Sequence, residues 1–373
     1  MAIRRITHGD IRLGQTLAWN VYGENGALLV RQGFVLASEA QLDNLVERGF
    51  IEDNSLDALK EYQDPPSVLR MLNEAAQRLQ AVLAPLAAGS TGLRGELEAI
   101  AALVDAAVAT NADVAVACIL HNQQAVAYEG RHCIDAAVVA QVVALALKKS
   151  ADQMRTLTLA ALTMNLGMLG HQQRLHGDPA PLSEADKRIV REHPQVSAVL
   201  LRRAGIEDND WIACVLAHHE NEDGSGYPLG KAGAAIPELA KLLALADRYC
   251  ARVAERRYRK PMLPNQALRD ILLEARSTLD AQIASVLIRE LGIYPIGSYV
   301  RLLNGEVGVV ARKGLNSTAP WVESIIGPRG APLDVFLQRD TRGDLNGIRE
   351  VLSAAQVGLA LRMDRIWGRA AAL

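Results

Sequence analysis

Two adjacent imidazoles run directly into an acidic, glycine-rich stretch closed by Tyr-Pro: His218-His219-Glu220-Asn221-Glu222-Asp223-Gly224-Ser225-Gly226-Tyr227-Pro228. This string is poor material for helix or strand, so it reads as a loop carrying a site. Imidazoles beside carboxylates are the donor types of Zn, Mn and Fe centres. Three further residues suit the same chemistry. His193 precedes Pro194, His132 lies on a face with Ala136, Val139 and Val143, and Asp247 sits beside the apolar stripe Leu239, Leu242, Leu243, Ala246, Cys250 and Val253. A buried carboxylate without a partner is costly, so Asp247 calls for a cation, a metal or several donors. Each of the three also has a plainer reading. His193 would be a histidine at a helix junction, His132 a core histidine, and Asp247 the partner of Arg248 or Arg252.

Helices must position these groups. One begins near Ser183, with Asp186 completing a capping box, and Pro194 is expected to break or restart it beside His193. Another runs from about Asp208 through Trp211, Ile212, Val215 and Leu216 to His218, and a third from Pro237 to about Glu255. From residue 67 to about 292 the chain reads as successive helices, a mainly α core. Residues 1–60 read as a small unit in which Leu17 to Tyr22 and Ala27 to Val30 flank an Asn25-Gly26 turn, with a helix from about Ser38 to Arg48. The stretch from Glu61 to Ser67, with Pro65-Pro66, marks a boundary. Residues 293–373 form a β-containing unit, with Asn304-Gly305 between two strands, a Gly327-Pro328-Arg329-Gly330 stretch and alternation from Leu333 to Leu337.

Apolar residues make up 50% of the 373 but aromatic ones only 4%, which favours packed helices over a sandwich or barrel. Forty basic residues against forty-two acidic give a formal charge of -2, so bulk charge argues against a DNA-binding chain or one drawn to acidic membrane. Cys118, Cys133, Cys214 and Cys250 form no CxxC pair and fall in apolar runs, as reduced core thiols would. There is no secretory h-region and no apolar run of spanning length, so a cytoplasmic protein is expected.

From His132 to about Gly292 the chain resembles the HD-GYP branch of the HD-domain phosphohydrolases. That is an all-helical fold whose members hydrolyse the bacterial second messenger cyclic di-GMP. The loop from His218 to Pro228 carries most of the resemblance, supported by His132, His193-Pro194, Ile236-Pro237 and Ala246-Asp247. The match fails at the position that names the family. Where members have Ala-Ala-Leu-Leu-His-Asp-Ile-Gly-Lys, this chain reads Ala160-Ala161-Leu162-Thr163-Met164-Asn165-Leu166-Gly167-Met168. Asp135 also stands where a basic or amide residue is common.

In the family the His of that pair ligates one metal and the Asp bridges two, while the Lys lies near the phosphate. Met164 is a soft ligand, Asn165 brings no charge and Met168 no ammonium. The resemblance therefore implies no intact dinuclear centre. It assigns His193, His218 and His219 to a site that is empty or holds one Zn, Mn or Fe ion. His132, Asp247, Asn165 and Met164 are left as a vestigial first-metal site. No catalytic residue is expected, and the chain is read as a non-enzymatic signalling protein acting by binding or protein contact. Two alternatives stand beside this: a weak metal-dependent cyclic di-GMP phosphodiesterase, and a scaffold that binds no nucleotide. Glu220, Asp223, Gly224, Gly226, Tyr227 and Pro228 are the expected interaction loop. The candidate partners are a diguanylate cyclase domain or other signalling protein, cyclic di-GMP, and a second copy of the chain.

Overall fold

The computed structural model describes residues 3–7, 10–24, 26–52, 66–122, 125–177, 180–255 and 260–373. Two compact units result, Met1–Pro65 and Pro66–Leu373. In the first, strands β1 (Ile3–Arg5), β2 (Val21–Tyr22), β3 (Leu28–Val30) and β4 (Phe50–Glu52) form an antiparallel sheet in the order β1-β4-β2-β3. Helix α1 (Glu39–Arg48) is capped by Ser38, whose Oγ accepts the Gln41 N–H at 3.3 Å. Ile6, Leu17, Val21, Leu36, Leu45 and Ile51 make this unit's own core. Strands β2 and β3 pair where the sequence places its hairpin; Asn25 of the turn and residues 61–65 of the expected boundary lie outside the described residues.

Among the described residues the second unit starts with eleven α-helices: α2 (Val68–Ala87), α3 (Arg94–Thr110), α4 (Ala112–His121), α5 (Tyr128–Ala146), α6 (Ala151–Thr163), α7 (Leu169–Gly177), α8 (Glu184–Arg203), α9 (Asn209–Ala217), α10 (Glu238–Val253), α11 (Pro264–Glu274) and α12 (Ala281–Leu291). The predicted mainly helical core with small β-containing units toward either end is what the structure has. Helix α5 is the axis of the bundle. Its residues from Gly130 to Ala144 are all buried, Arg131, His132, Asp135 and Gln141 among them, and α2, α6 and α10 pack around it. The predicted cap holds at Ser183, where the box with Asp186 is complete, and the helix expected from about Asp208 is capped by Asp208, which accepts the Asp210 and Trp211 N–H groups.

One predicted break is absent. Helix α8 runs unbroken from Glu184 to Arg203 with Pro194 inside it. A proline in a helix interior leaves the carbonyl four residues earlier without its usual partner. Here that carbonyl belongs to Val190, and the His193 ring donates to it from Nδ1 at 2.7 Å.

Five antiparallel strands follow in the order β8-β7-β6-β5-β9: β5 (Tyr299–Leu302), β6 (Val307–Arg312), β7 (Trp321–Ile326), β8 (Pro332–Asp340) and β9 (Ile348–Leu352). Asn304-Gly305 turns β5 into β6, with Gly305 at φ +87° and Asn304 Oδ1 accepting the Glu306 N–H at 2.9 Å. Helices α13 (Ala354–Val357) and α14 (Met363–Trp367) close the chain. Val300, Leu302, Val310 and Val322 join the helical core, so the sheet and bundle share one interior. His121 at the end of α4 fixes that junction. Burial pushes its imidazole down to about 4, and the neutral ring donates from Nε2 to the Gly297 carbonyl at 2.7 Å.

All four cysteines are buried and free. No single helix among the described residues is long and apolar enough to cross a membrane. The bent pair α3 and α4 meets the length and composition test together, but both helices bury their apolar residues in the core.

Inside the sheet, Glu306 accepts two hydrogen bonds from Arg339, at 2.8 and 2.6 Å, and one from Ser324 Oγ at 2.7 Å. The Arg339 pairing holds its carboxyl down to about 2, from an ordinary value of 4.5. A depressed carboxyl contributes stability that is present above its unfolded value and lost as pH falls through its folded one. Glu306→Gln is expected to cost about 1–3 kcal/mol at neutral pH. The difference between variant and native protein should shrink as pH is lowered from 4.5 towards 2, as urea denaturation at each pH would measure.

Candidate metal centre

His193, His218 and His219 come together. One donor atom from each lies within 4.8 Å of the other two, and among the described residues this is the group of three or more such side chains that could hold an ion. His193 is buried in α8 and His218 is buried at the C-terminal cap of α9, while His219, one residue on, is partly exposed. Helix α9 stops at Ala217, and beyond it the His218 and His219 rings sit 4.1 Å apart between centroids.

The hydrogen bonds decide what the rings offer. His193 Nδ1 donates to Val190 O at 2.7 Å, and His218 Nδ1 donates to Val215 O at 2.6 Å. Burial pushes both imidazoles down, His193 to about 3, so the rings are neutral near pH 7. A neutral imidazole with its proton on Nδ1 has a bare lone pair at Nε2. The two Nε2 atoms face each other at 3.3 Å. Two donors about 2.0–2.1 Å from one tetrahedral ion stand roughly 3.3–3.4 Å apart, so the spacing and the donor set both fit a single Zn, Mn or Fe ion. Burial also pushes the His219 imidazole well down, leaving it neutral as a third donor.

Met164 and Asn165 follow α6, both buried. The turn they begin is docked on α8. Ser197, one helical turn after His193, donates from Oγ to Met164 O and accepts the Gly167 N–H, both at 2.8 Å. A Cβ on Gly167 would stand 2.4 Å from the His193 carbonyl oxygen and 2.8 Å from Ser197 N, so only glycine permits this approach. Sequence reasoning passed over Ser197; its signal was its position four residues after His193 on the same helix face. Thr163 and Trp211 tie α6 to α9 in the same way, through a 2.8 Å bond from the indole N–H.

His132 and Asp247 meet each other. Nε2 of His132 donates to Asp247 Oδ1 at 2.8 Å across α5 and α10, and Tyr128 stacks on the His132 ring. Burial pushes the Asp247 carboxyl up, but the hydrogen bond from His132 outweighs it and holds the group ionised. Neither arginine suggested by sequence is its partner: Arg248 bonds Asn221 and Glu274, and Arg252 bonds Glu274.

The loop after His219 is built around Glu220, whose buried carboxylate accepts the N–H groups of Leu229 at 2.7 Å and Lys231 at 2.9 Å. Gly226 passes so close to Glu220 and Asn221 that a Cβ would lie within 2.6 Å of their backbone. Gly224 sits at φ +78°, and Asp223 accepts from Ser225. Tyr227 packs its ring on His219 with centroids 4.7 Å apart, and it and Pro228 are half-buried. Lys241 is occupied by Glu222, at 2.7 Å, whereas Arg188 and Arg191 stand exposed on α8.

The helices thus bring together three neutral imidazoles able to hold a divalent ion, with a carboxylate–histidine pair between α5 and α10. A family model described as "HD domain" matches residues 95–283, and the chain belongs to this family. It is related to the HD-GYP cyclic di-GMP phosphodiesterases. A cyclic di-GMP phosphodiesterase of Pseudomonas aeruginosa is 32% identical over 196 residues, covering 52% of this chain and 47% of that protein. The cyclic di-GMP phosphodiesterase response regulator RpfG of Xanthomonas campestris is 30% identical, over 40% of either chain. A 3'3'-cGAMP-specific phosphodiesterase of Vibrio cholerae is 29% identical, over 43% of this chain and 37% of that one. The matched stretch thus spans less than half the length of each relative. Bd1817, an HDG"Y"P protein from Bdellovibrio bacteriovorus, shares the fold with a TM-score of 0.52 at 16% identity, covering 77% of this chain and 98% of that one.

The sequence-based expectation of a non-enzyme is corrected by the histidine cluster. With Met164-Asn165 where the resemblance leads one to expect a His-Asp pair, the three imidazoles are still assembled and neutral, able to hold an ion, which argues against a complete loss of catalytic capacity.

Gly167→Ala is expected to force α6 and α8 apart, costing about 1–3 kcal/mol and weakening metal binding at His193. Gly170→Ala, where a Cβ meets nothing within 4 Å, should be neutral or stabilising by up to about 1 kcal/mol. Denaturation of both variants with parallel metal titration measures the contrast. Equal stability of the two would refute the close-approach argument.

Proposed function

We propose that this chain is a slow, single-metal phosphodiesterase acting on a cyclic dinucleotide of the cyclic di-GMP class. The observation that carries this reading is the convergence of the His193 and His218 Nε2 lone pairs at 3.3 Å, with His219 beside them. The substrate class comes from the relatives, whose names specify cyclic di-GMP or 3'3'-cGAMP phosphodiesterases.

A divalent ion bound by the three imidazoles supplies Lewis acidity for water attack on a phosphodiester. The residues of the chain do the positioning. Val190 O and Val215 O fix the two ring orientations, Asp247 adds negative charge beside the cluster, and Tyr227 covers one face of His219. Arg191 is exposed two residues before His193, close enough to Tyr227 for its charge to act on the phenol, and is the phosphate contact we favour. Slowness follows from chemistry. Asn165 offers no bridging charge for a second ion, Met168 offers no ammonium to the phosphate, and the His132 Nε2 is committed to Asp247.

Elemental analysis of the purified chain should give one transition-metal ion per chain. With Mn or Fe supplied, cyclic di-GMP should be opened slowly to the linear dinucleotide, and His218→Ala should lower turnover at least about 100-fold and remove the ion. Absence of product from the native chain, or activity unchanged in His218→Ala, would overturn the assignment.

A further inference from the structure

Two histidines of the cluster reach the same chemical state by different routes. His218 lies just past the end of α9, where the last four carbonyls lack helical partners, and Val215 is among them. Its carbonyl is therefore free to accept the His218 Nδ1–H. His193 has no helix end to use, since α8 continues to Arg203. In an ordinary helix the Val190 carbonyl would be taken by the N–H of residue 194. Residue 194 is proline, buried, and has no N–H to give.

We propose that Pro194 is a positioning residue for the metal site. By vacating the Val190 carbonyl it lets that oxygen bind the His193 Nδ1–H, fixing the ring in the tautomer that aims a bare Nε2 at the ion. Carbonyls that accept the far ring N–H act in this way on metal-binding histidines generally, and here the helix interior supplies one only because a proline follows the histidine. The inference rests on the metal-site reading of the cluster, but its central claim concerns the metal-free ring. Pro194 is thus a device for orientation, and its cost to the helix is borne for that purpose.

The test is Pro194→Ala, which restores an N–H to compete for Val190 O. In the metal-free protein, 15N resonances of the His193 ring should move from the Nδ1–H pattern towards a mixture of tautomers. Co(II) affinity, followed by visible absorption, should fall about tenfold. The melting temperature should stay level or rise, because alanine suits a helix interior better. Placing lactic acid at 194 by nonsense suppression, which keeps the alanine side chain but has no N–H, should restore both the ring signature and the affinity. An unchanged His193 tautomer in Pro194→Ala overturns the proposal, as does a weakened affinity that lactic acid fails to restore. Failure of the native chain to bind Co(II) would instead overturn the proposed function, with the tautomer measurement still deciding on Pro194.

Discussion

Two unprotonated ring nitrogens held 3.3 Å apart in a dry interior repel one another, and the local structure exists to keep them there. Neutral imidazoles with their protons committed to backbone carbonyls leave no hydrogen to place between the Nε2 atoms. A divalent cation would take both lone pairs. Helices α8 and α9 hold the rings in place because each is anchored elsewhere. Ser197 and Gly167 lock α8 to the turn after α6, while the Thr163–Trp211 bond locks α9 to α6 itself. Helix α6 is in turn packed on the buried axis α5.

The neighbouring pair, His132 and Asp247, follows the opposite logic. Nε2 of His132 donates to Asp247, so the two meet directly, while the buried Nδ1 of His132 has no hydrogen-bond partner among the described residues. Met164 is an apolar side chain with no exposed surface. One part of the site presents imidazole lone pairs that face each other, while in the other a histidine and a carboxylate bond directly. The Met164-Asn165 turn keeps its docking on α8 through Ser197.

Much of this was legible in the chain. Capping residues such as Ser183 with Asp186, and Asp208, are local signals acting over three residues, and the helices start where they predict. Asn304-Gly305 likewise makes its turn through its own backbone and side chain. The cluster was readable because His218 and His219 are adjacent and His193 carries its proline. What escaped depended on contacts between distant segments. The partner of Asp247 lies 115 residues away, where no spacing rule reaches. Pro194 was misread because a helix breaker was weighed without asking which side chain would take the freed carbonyl. The expectation of a non-enzyme weighed the missing His-Asp pair above the three imidazoles, which reach the site independently of Met164 and Asn165.

Glu220 has a consequence of another kind. Its carboxylate grips the loop from inside, through the amides of Leu229 and Lys231, and Gly226 wraps so closely around it that the backbone has little freedom left. The loss of conformational entropy for this segment is therefore incurred when the protein folds. A molecule arriving beside Tyr227 meets a surface already ordered, so its affinity reflects the contacts it makes and carries little penalty for arranging the loop.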